Sequence, residues 1–531
     1  MATNDNIVQS FFETAQAAPD LLAISAGNQE ISYGDLAAHA SRLAAHLQPK
    51  LTSGRVGILA SRSIAAYVGI VGAAWAGATY VPLNMKWPAE RLIQLMGDLE
   101  LDALIIDSNG AKLLTDEVRA AAPSTIICGD PIHPIEGYVD VARLSETALE
   151  APVQRQGADL AYIVFTSGST GMPKGVMVSC DSLARYLDET QKWTQLTAAD
   201  RIAEAHDVTF DLSVHNMFLA WRAGSSLHLM TALDMMAPQA FVRKRAITVW
   251  MSVPTIVNNM RRAGSLKPGL FDTLRLSIFC GEPLAMPTVE AWQEAAPNSV
   301  IENIYGPTEC TVVCMRQRLT QPPLVTKERG ILSIGDAYEN FDIRICDPSG
   351  AEVPTNEIGE IVLGSDQLAD GYFNRPDLTD AAFRMVDGRR WYFTGDLGYR
   401  DENGKFHHMG RLDNQVKMKG NRIELEEVET HLRRACGTEL AVVVAWPVID
   451  GSAQGLVGFS TNMTLSEKEV RAEMAKALPE YMVPGRIEFR ADMPRNINDK
   501  IDRKALVAEL EGNAQAPSMV TPLAAGQDVI A

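Results

Sequence analysis

Short apolar runs alternate with segments whose apolar residues recur every three or four positions from residue 7 to about 152. The runs at 56–59, 103–106 and 125–127 predict buried strands, and the periodic segments 33–47 and 89–99 predict helices. That alternation implies βαβ units and a mostly parallel sheet. It resumes after residue 160, with strands at 161–166, 247–251 and 274–279, and predicts a second α/β unit following the first. From 332 to 399 the pattern changes to short strands at 342–346, 360–363 and 390–393, separated by Gly, Pro and Asp. This reads as a small antiparallel sheet or barrel. Beyond residue 411, helices at 424–434 and 466–477 and strands at 440–445 and 455–460 predict a compact α+β unit.

The predicted fold class is therefore α/β, with an N-terminal core over 1–411 made of two α/β subdomains and a β-rich subdomain from about 330. An α+β unit follows over 412–511, with the boundary at Leu412-Asp413, and an Ala/Gln/Pro/Gly-rich stretch, 512–531, reads as a loose tail. Residues 65–83 carry no charge and approach the length that crosses a bilayer. Gly69, Gly72 and Gly77 interrupt that stretch, and Thr79-Tyr80-Val81-Pro82 ends it as a strand stopped by proline, so a buried helix followed by a strand is predicted.

The chain has 531 residues, enough for three or four units at about 150 each. With 46% hydrophobic and 21% charged residues it falls outside the disordered, collagenous and coiled-coil classes. Lys plus Arg number 48 against 66 Asp plus Glu, and the net charge of −18 repels polyanions, so nucleic acid is not an expected partner. A phosphate-bearing small molecule remains admissible, because a few local amides can hold it against the global field. The seven cysteines are scattered without a C-x-x-C pair, a cytosolic pattern, and the N-terminal MATNDNIVQS lacks the basic start and apolar run of a signal peptide. A cytoplasmic protein without a membrane partner is expected.

The string Thr166-Ser167-Gly168-Ser169-Thr170-Gly171-Met172-Pro173-Lys174-Gly175 follows directly on a predicted strand. Its glycines and hydroxyls make a loop whose amides can approach phosphate oxygens closely, with Lys174 as a point charge. It is not a Walker A loop, since two residues rather than four separate its glycines and Gly175 follows the lysine; nor is it a G-x-G-x-x-G turn.

With the preceding Leu160 to Phe165, this string resembles the signature of the adenylate-forming superfamily: acyl-CoA synthetases, luciferases and nonribosomal peptide synthetase adenylation domains. The resemblance extends to Ser32-Tyr33-Gly34-Asp35-Leu36, Trp75-Ala76-Gly77-Ala78-Thr79-Tyr80-Val81-Pro82-Leu83 and Asn303-Ile304-Tyr305-Gly306-Pro307-Thr308-Glu309. It continues through Gly359-Glu360-Ile361, Tyr392-Phe393-Thr394-Gly395-Asp396-Leu397, Gly410-Arg411-Leu412-Asp413-Asn414-Gln415-Val416-Lys417, Leu478-Pro479-Glu480-Tyr481-Met482-Val483-Pro484 and Asn498-Asp499-Lys500-Ile501-Asp502-Arg503. Ordered motifs thus span about residues 30 to 505.

The resemblance implies a two-step reaction using ATP and Mg²⁺: a carboxylate attacks the α-phosphate, pyrophosphate leaves, and a pantetheine thiol then displaces AMP. Positioning and charge stabilisation suffice for such chemistry, so no side-chain nucleophile is required. Glu309, beside the Thr308 hydroxyl, could hold Mg²⁺ with the ATP phosphates supplying other ligands; alone it reads equally as a turn residue capping a helix. Thr166, Ser167, Gly168, Ser169, Thr170, Gly171, Lys174, Tyr305 and Gly306 are implied contacts to ATP or AMP. Asp396 could accept the ribose hydroxyls and Arg411 could bind ribose or phosphate, against the plainer readings of a turn aspartate and a surface salt bridge. Lys500 is the implied catalytic lysine, meeting both the α-phosphate and the substrate carboxylate. Asp413 is at the hinge about which the family rotates its C-terminal domain between the two steps.

Phe210-Asp211-Leu212-Ser213 resembles the motif in which amino-acid-activating members pair an aspartate with the substrate ammonium. Asp211 alone could equally be a helix N-cap. Carried over by position, the substrate pocket is Asp211, Leu212, His215, Met251, Ile278, Cys280, Gly281, Ile304, Val312 and Val313, closed by Lys500. It is apolar and crowded, with no second charge, and disfavours acidic, basic and aromatic substrates. Phe279-Cys280-Gly281-Glu282-Pro283 is similar to D-alanine carrier-protein ligases, so a small aliphatic amino acid is expected, alanine first. Its chirality, and an α or β amino group, stay open. Only residues 501–531 follow Lys500 and no G-G-x-S motif is present, so a separate carrier protein bearing a phosphopantetheine arm is the expected partner. Arg243-Lys244-Arg245 or Arg433-Arg434 could dock an acidic carrier, though such runs are usually solvated faces.

An acyl-CoA synthetase of the same fold and a catalytically silent nucleotide-binding homologue are the alternatives. Two positions depart from the family pattern: Asp499 and Glu426 each replace a usual glycine. Asp499 adds charge beside Lys500 and restricts φ, which predicts reduced or specialised activity. A rise in adenylation rate in Asp499→Gly would bear this out; an unchanged rate would not.

Overall fold

Two mostly parallel sheets carry the N-terminal part, and the chain does not finish one before starting the other. The computed structural model describes residues 5–145, 147–168, 172–438, 440–461, 465–495 and 501–515, with side chains to 512. The eight-stranded sheet runs in the order Gly371–Tyr372, Lys174–Ser179, Leu160–Thr166, Thr79–Pro82, Arg55–Leu59, Ala103–Ile106, Ile126–Cys128, Val139–Asp140. The nine-stranded sheet centres on Leu276–Phe279, Val249–Ser252, Arg201–Glu204 and Ser226–Leu229, with Val300–Tyr305 following Leu276–Phe279.

The expectation of one α/β unit after another is corrected here. Leu22–Ala26 pairs in parallel with Ser226–Leu229, Ile24 opposite Leu227, and so belongs to the nine-stranded sheet. Leu160–Thr166 and Lys174–Ser179 belong instead to the eight-stranded sheet, through the parallel pairing of Tyr80 with Tyr162. Apolar patterning marks a buried strand and carries no information about which distant strand lies beside it. The interleaving places the loop after Thr166 and the turn after Tyr305 on neighbouring sheet ends, where loops collect in such folds.

Helix Ile64–Trp75 is buried on every face, as its charge-free sequence predicts, and the strand Thr79–Pro82 follows it. Its glycines allow the approach: a Cβ on Gly72 would lie 2.6 Å from Leu43 Cδ2, and one on Gly69 2.8 Å from Ile105 Cγ2. No helix among the described residues is long and apolar enough to cross a membrane.

The β-rich part is a five-stranded antiparallel sheet. Its strand Arg389–Arg400, predicted only over 390–393, runs on for 12 residues. Asp396 consequently lies within a strand rather than a turn, directly opposite Arg411 of Phe406–Arg411. Gly395, just before Asp396, has φ +72°, a left-handed conformation that favours glycine, and a Cβ there would press on Arg411 Nη2 at 2.7 Å.

After Asp413 comes the hairpin Gln415–Met418/Asn421–Glu424, then helix Leu425–Cys436 and the sheet Ala441–Ala445, Leu456–Ser460, Arg486–Phe489. Helix Glu467–Met474 starts with a capping box between Ser466 and Glu469. These elements bury their own apolar cluster around Met418, Ile423, Leu432, Val443, Met474 and Ile487.

Gly72→Val forces a branched side chain into the Leu43 contact. Overpacking of this kind costs about 1–3 kcal/mol, so a lowered thermal midpoint is expected in a melting experiment.

Candidate active site

The strand Val300–Tyr305 delivers the chain into a tight turn, Gly306 to Val313, whose shape fixes the site. A Cβ on Gly306 would sit 2.4 Å from Val313 Cα and 2.7 Å from the Val312 carbonyl oxygen, so only glycine fits. Thr311 and Val312 both take positive φ, at 63° and 73°, a conformation a β-branched residue adopts only when its surroundings impose it. Gln367 imposes it: its amide donates to the carbonyls of Cys310 and Val313 at 3.0 and 3.1 Å, and its own carbonyl accepts the Thr311 hydroxyl at 2.7 Å. The turn places Thr308 at the cleft wall and drives Glu309 inward, fully buried.

Glu309 accepts hydrogen bonds from the Tyr372 hydroxyl at 2.7 Å and the Arg422 guanidinium at 3.1 Å. Burial pushes its carboxyl up, but Arg422 and Lys174 outweigh burial and hold it at about 2. Lys174 lies 5.1 Å from the Tyr372 ring centroid; burial and Arg422 lower its pKa against the pull of Glu309.

Two adjoining cavities meet at this turn. One is lined by Thr166, Ser167, Asp211, Leu212, Cys280, Gly281, Gly306, Thr308, Asp396, Arg411 and Lys417. The other shares Cys280, Gly281, Gly306, Asp396, Arg411 and Lys417 and adds Ile304, Tyr305, His408 and Asp413. Asp396 accepts the Tyr305 hydroxyl and Arg411 Nη1 at 2.7 Å, with His408 Nε2 at 3.6 Å. Burial opposes its ionisation, yet His408 and Arg411 hold the carboxyl well below the usual range. Arg411 also grips Asp413 bidentately at 2.6 and 2.7 Å, tying the expected ribose site to the expected hinge.

The Thr166 and Ser167 side-chain oxygens are buried and have no hydrogen-bond partner among the described residues. Orphan hydroxyls at the mouth of a Gly-rich loop fit an incoming phosphate, which would satisfy both. Ser169, Thr170, Gly171, Asp499 and Lys500 lie outside the described residues.

Asp211 is the first residue of helix Asp211–Ala223, and the N-cap is Phe210. Its carboxyl is raised by burial, which the neighbouring Thr308 hydroxyl and Lys417 offset only in part. Leu212, Cys280, Gly281 and Ile304 face the cavities, and burial pushes the Cys280 thiol up to about 12. Met251, Ile278, Val312 and Val313 are buried in the apolar core with them. His215 is buried, bonded to the Tyr186 hydroxyl, and lowered by burial to about 3, so it is a neutral packed side chain at physiological pH and lines neither cavity.

Sequence reasoning missed the residues that join the two halves of the chain. Arg422 reaches Glu309; Glu427 meets Arg91 at 2.8 Å and the Gly168 amide at 3.4 Å; the Gly420 amide donates to Glu282 at 2.9 Å. Gly420 has φ +80° and a Cβ there would meet Val253 Cγ1 at 3.0 Å, so the hairpin tip needs glycine to seat. Arg422 and Glu427 stand just beyond the quoted hinge motif, whose continuation was a detectable signal; Arg91 carried none.

Residues 11–373 match the AMP-binding enzyme family, and the chain belongs to that family of adenylate-forming enzymes. It is 30% identical to the D-alanine–D-alanyl carrier protein ligase of Bacillus velezensis over 93% of this chain and 98% of that one. Tyrocidine synthase 1 of Brevibacillus parabrevis is 32% identical over 95% of this chain, which spans 45% of that longer protein. Among solved structures, the Vibrio cholerae adenylation domain AlmE in complex with glycyl-adenosine-5'-phosphate superposes with a TM-score of 0.86 at 30% identity, covering 96% of this chain and 99% of that one. The expected fold class and family resemblance are thereby borne out.

Glu309 is ionised when folded down to about pH 2 but only above about 4.5 when unfolded, so its ion pairing stabilises the chain fully above 4.5 and fades as pH falls toward 2. Arg422→Met strands the buried carboxylate, at a cost of about 3–5 kcal/mol at neutral pH. Urea denaturation is expected to show that deficit at pH 7 and a narrowing difference below pH 4.5.

Proposed function

We propose that this chain uses ATP to activate a small aliphatic amino acid as its aminoacyl adenylate and then transfers it to the phosphopantetheine thiol of a separate carrier protein. The observation that carries this reading is Asp211, a carboxylate held at the cleft beside Thr308 with its pKa raised by burial, whereas Asp396 and Glu427 in the same cavity are already paired with Arg411 and Arg91. An α-ammonium group supplies the charge that the site lacks and restores the carboxylate, which a plain fatty or aryl acid cannot do. The neighbours Leu212, Cys280, Gly281 and Ile304 leave apolar, shallow space beyond it and support a small side chain, with alanine or glycine favoured. The relatives named for D-alanine and glycyl ligands support the same size class.

On this reading Thr166, Ser167, Gly168 and Lys174 receive the phosphates, and Asp396, oriented by Tyr305 and Arg411, accepts the ribose hydroxyls. Glu309, beside Thr308, is the residue that would hold Mg²⁺, which supplies charge neutralisation at the phosphates when bound. Lys500 would meet the α-phosphate in the first step. The hairpin 415–424 occupies the cleft in the present arrangement, which supports a rotation of 412–511 about Asp413 between the steps. The thiol of the carrier arm would then displace AMP, with Arg411 and Lys417, which line both cavities, available to neutralise the leaving phosphate.

Amino-acid-dependent ATP–pyrophosphate exchange tests this across the standard amino acids, D-alanine and β-alanine. Exchange with one small amino acid, reduced at least about a hundredfold in Asp211→Asn, is expected. Exchange only with plain carboxylic acids would make the chain an acyl-CoA synthetase, and silence throughout, with ATP still bound, a nucleotide-binding homologue.

A further inference from the structure

The hairpin Val448–Ile449/Ser452–Ala453 turns on Asp450-Gly451, whose φ values of +52° and +79° are those of a two-residue type I′ loop. Such a loop matches the twist of its strands and fixes where the Asp450 carboxylate stands. Asp450 Oδ2 lies 2.6 Å from Arg261 Nη2 and 3.6 Å from Arg262 Nη2, at the last turn of the helix Pro254–Arg262 in the N-terminal core. All three side chains are partly buried. One carboxylate shared by two guanidiniums and partly withdrawn from water is a firmer tether than a single exposed ion pair. The tip also packs on the core, since a Cβ on Gly451 would lie 3.4 Å from Pro283 Cβ.

Ala453 pairs in parallel with Met418, so this hairpin and the cleft hairpin 415–424 form one four-stranded sheet. That sheet is held at two ends. At the cleft end the Gly420 amide bonds Glu282 and Arg422 bonds Glu309; at the other end Asp450 bonds the helix. Between them Val448, Gly451 and Ala453 line the cavity of about 280 Å³ that Tyr305 and Asp396 also line. The hairpin is therefore the outer wall of the cavity that receives the nucleoside. A wall fixed at one end only can swing about that end, and the cleft end is the one whose partners the reaction uses. Arg261, Arg262 and Asp450 line neither cavity of the site, so their pairing can hold the wall while the chemistry proceeds.

We propose that Asp450 is a positioning residue for the nucleotide: through Arg261 and Arg262 it keeps the hairpin Val448–Ala453 closed over the nucleotide cavity and so retains the aminoacyl adenylate while the thiol reacts. The proposal rests on the adenylation reading above. On it, loss of the tether leaves the first step as it was and lets the nucleotide escape during the second.

The test is calorimetric titration of AMP into the full chain, without amino acid. Asp450→Asn keeps the size of the side chain and removes its charge. About threefold to tenfold weaker AMP binding is expected, because affinity scales with the fraction of chains in which the wall is closed. Arg261→Gln with Arg262→Gln is expected to cost the same, and adding Asp450→Asn to that pair to cost nothing more, since all three changes break one contact. A purely structural ion pair gives a different result: the thermal midpoint falls and AMP affinity stays parental. That result, or losses that add, overturns the proposal. ATP–pyrophosphate exchange on the same preparations separates the two readings. Weakened AMP binding in the variants, with no exchange for any amino acid in the parental chain, upholds the tether and sinks the adenylation reading. Parental exchange with parental AMP affinity in Asp450→Asn sinks the tether alone, and a parental chain that binds no AMP sinks both.

Discussion

A carboxylate withdrawn fully from water must be given a cation or a proton, and Glu309 is given cations. Arg422 comes from the hairpin after Asp413, Lys174 from the strand after the Gly-rich loop, and the Tyr372 hydroxyl completes the shell. Each partner arrives from a different part of the chain, so one buried charge sets where three segments must lie. Lys174, on the strand next to the edge of the eight-stranded sheet, brings its charge to bear on the turn that follows Val300–Tyr305, in the nine-stranded one. Gln367 fixes the backbone of that turn with four polar contacts, and Gly306 leaves it room.

The interleaving of the two sheets follows from the same constraint. Were the first α/β unit complete before the second began, the phosphate loop and the Thr308-Glu309 turn would belong to separately built bodies joined by a linker. Because Leu160–Thr166 returns to the first sheet and Leu22–Ala26 already lies in the second, the two sheets cross-brace each other. The distance between the loop and the turn is thereby set by packing rather than by a flexible connection, which a site that works by positioning requires.

Much of this was legible in the sequence, and the boundary of legibility is physical. Local patterns gave helices 33–47 and 89–99 to the residue, the buried helix after Ser63 and the strand 342–346, because side-chain period is a local property. Motif spacing brought Asp211, Thr308, Asp396 and Arg411 to one pair of cavities. Pairing was not legible: that Asp396 faces Arg411 across a ladder depends on the strand running on to Arg400, and a glycine inside it reads as a turn until its partner is known. Nor was Arg91 opposite Glu427, since a contact across 336 residues of separation leaves no trace in either neighbourhood. His215, placed in the pocket by position alone, is instead packed: it bonds Tyr186 and burial depresses its basicity.

The two carboxylates that matter most are pushed in opposite directions by their surroundings. Glu309 has its cations within the fold, and stays charged far below neutral pH. Asp211 is raised, since burial outweighs the hydroxyl and the single lysine beside it. A site that keeps one carboxylate satisfied and leaves another short of positive charge is poised to accept a cation at the second place and exchange one at the first. On the proposed function, Mg²⁺ would take the place of Arg422 on the Glu309 oxygens and the substrate ammonium would take the place beside Asp211, since each offers positive charge there. The division follows from burial and partner count alone, so it holds for any substrate of that charge and size.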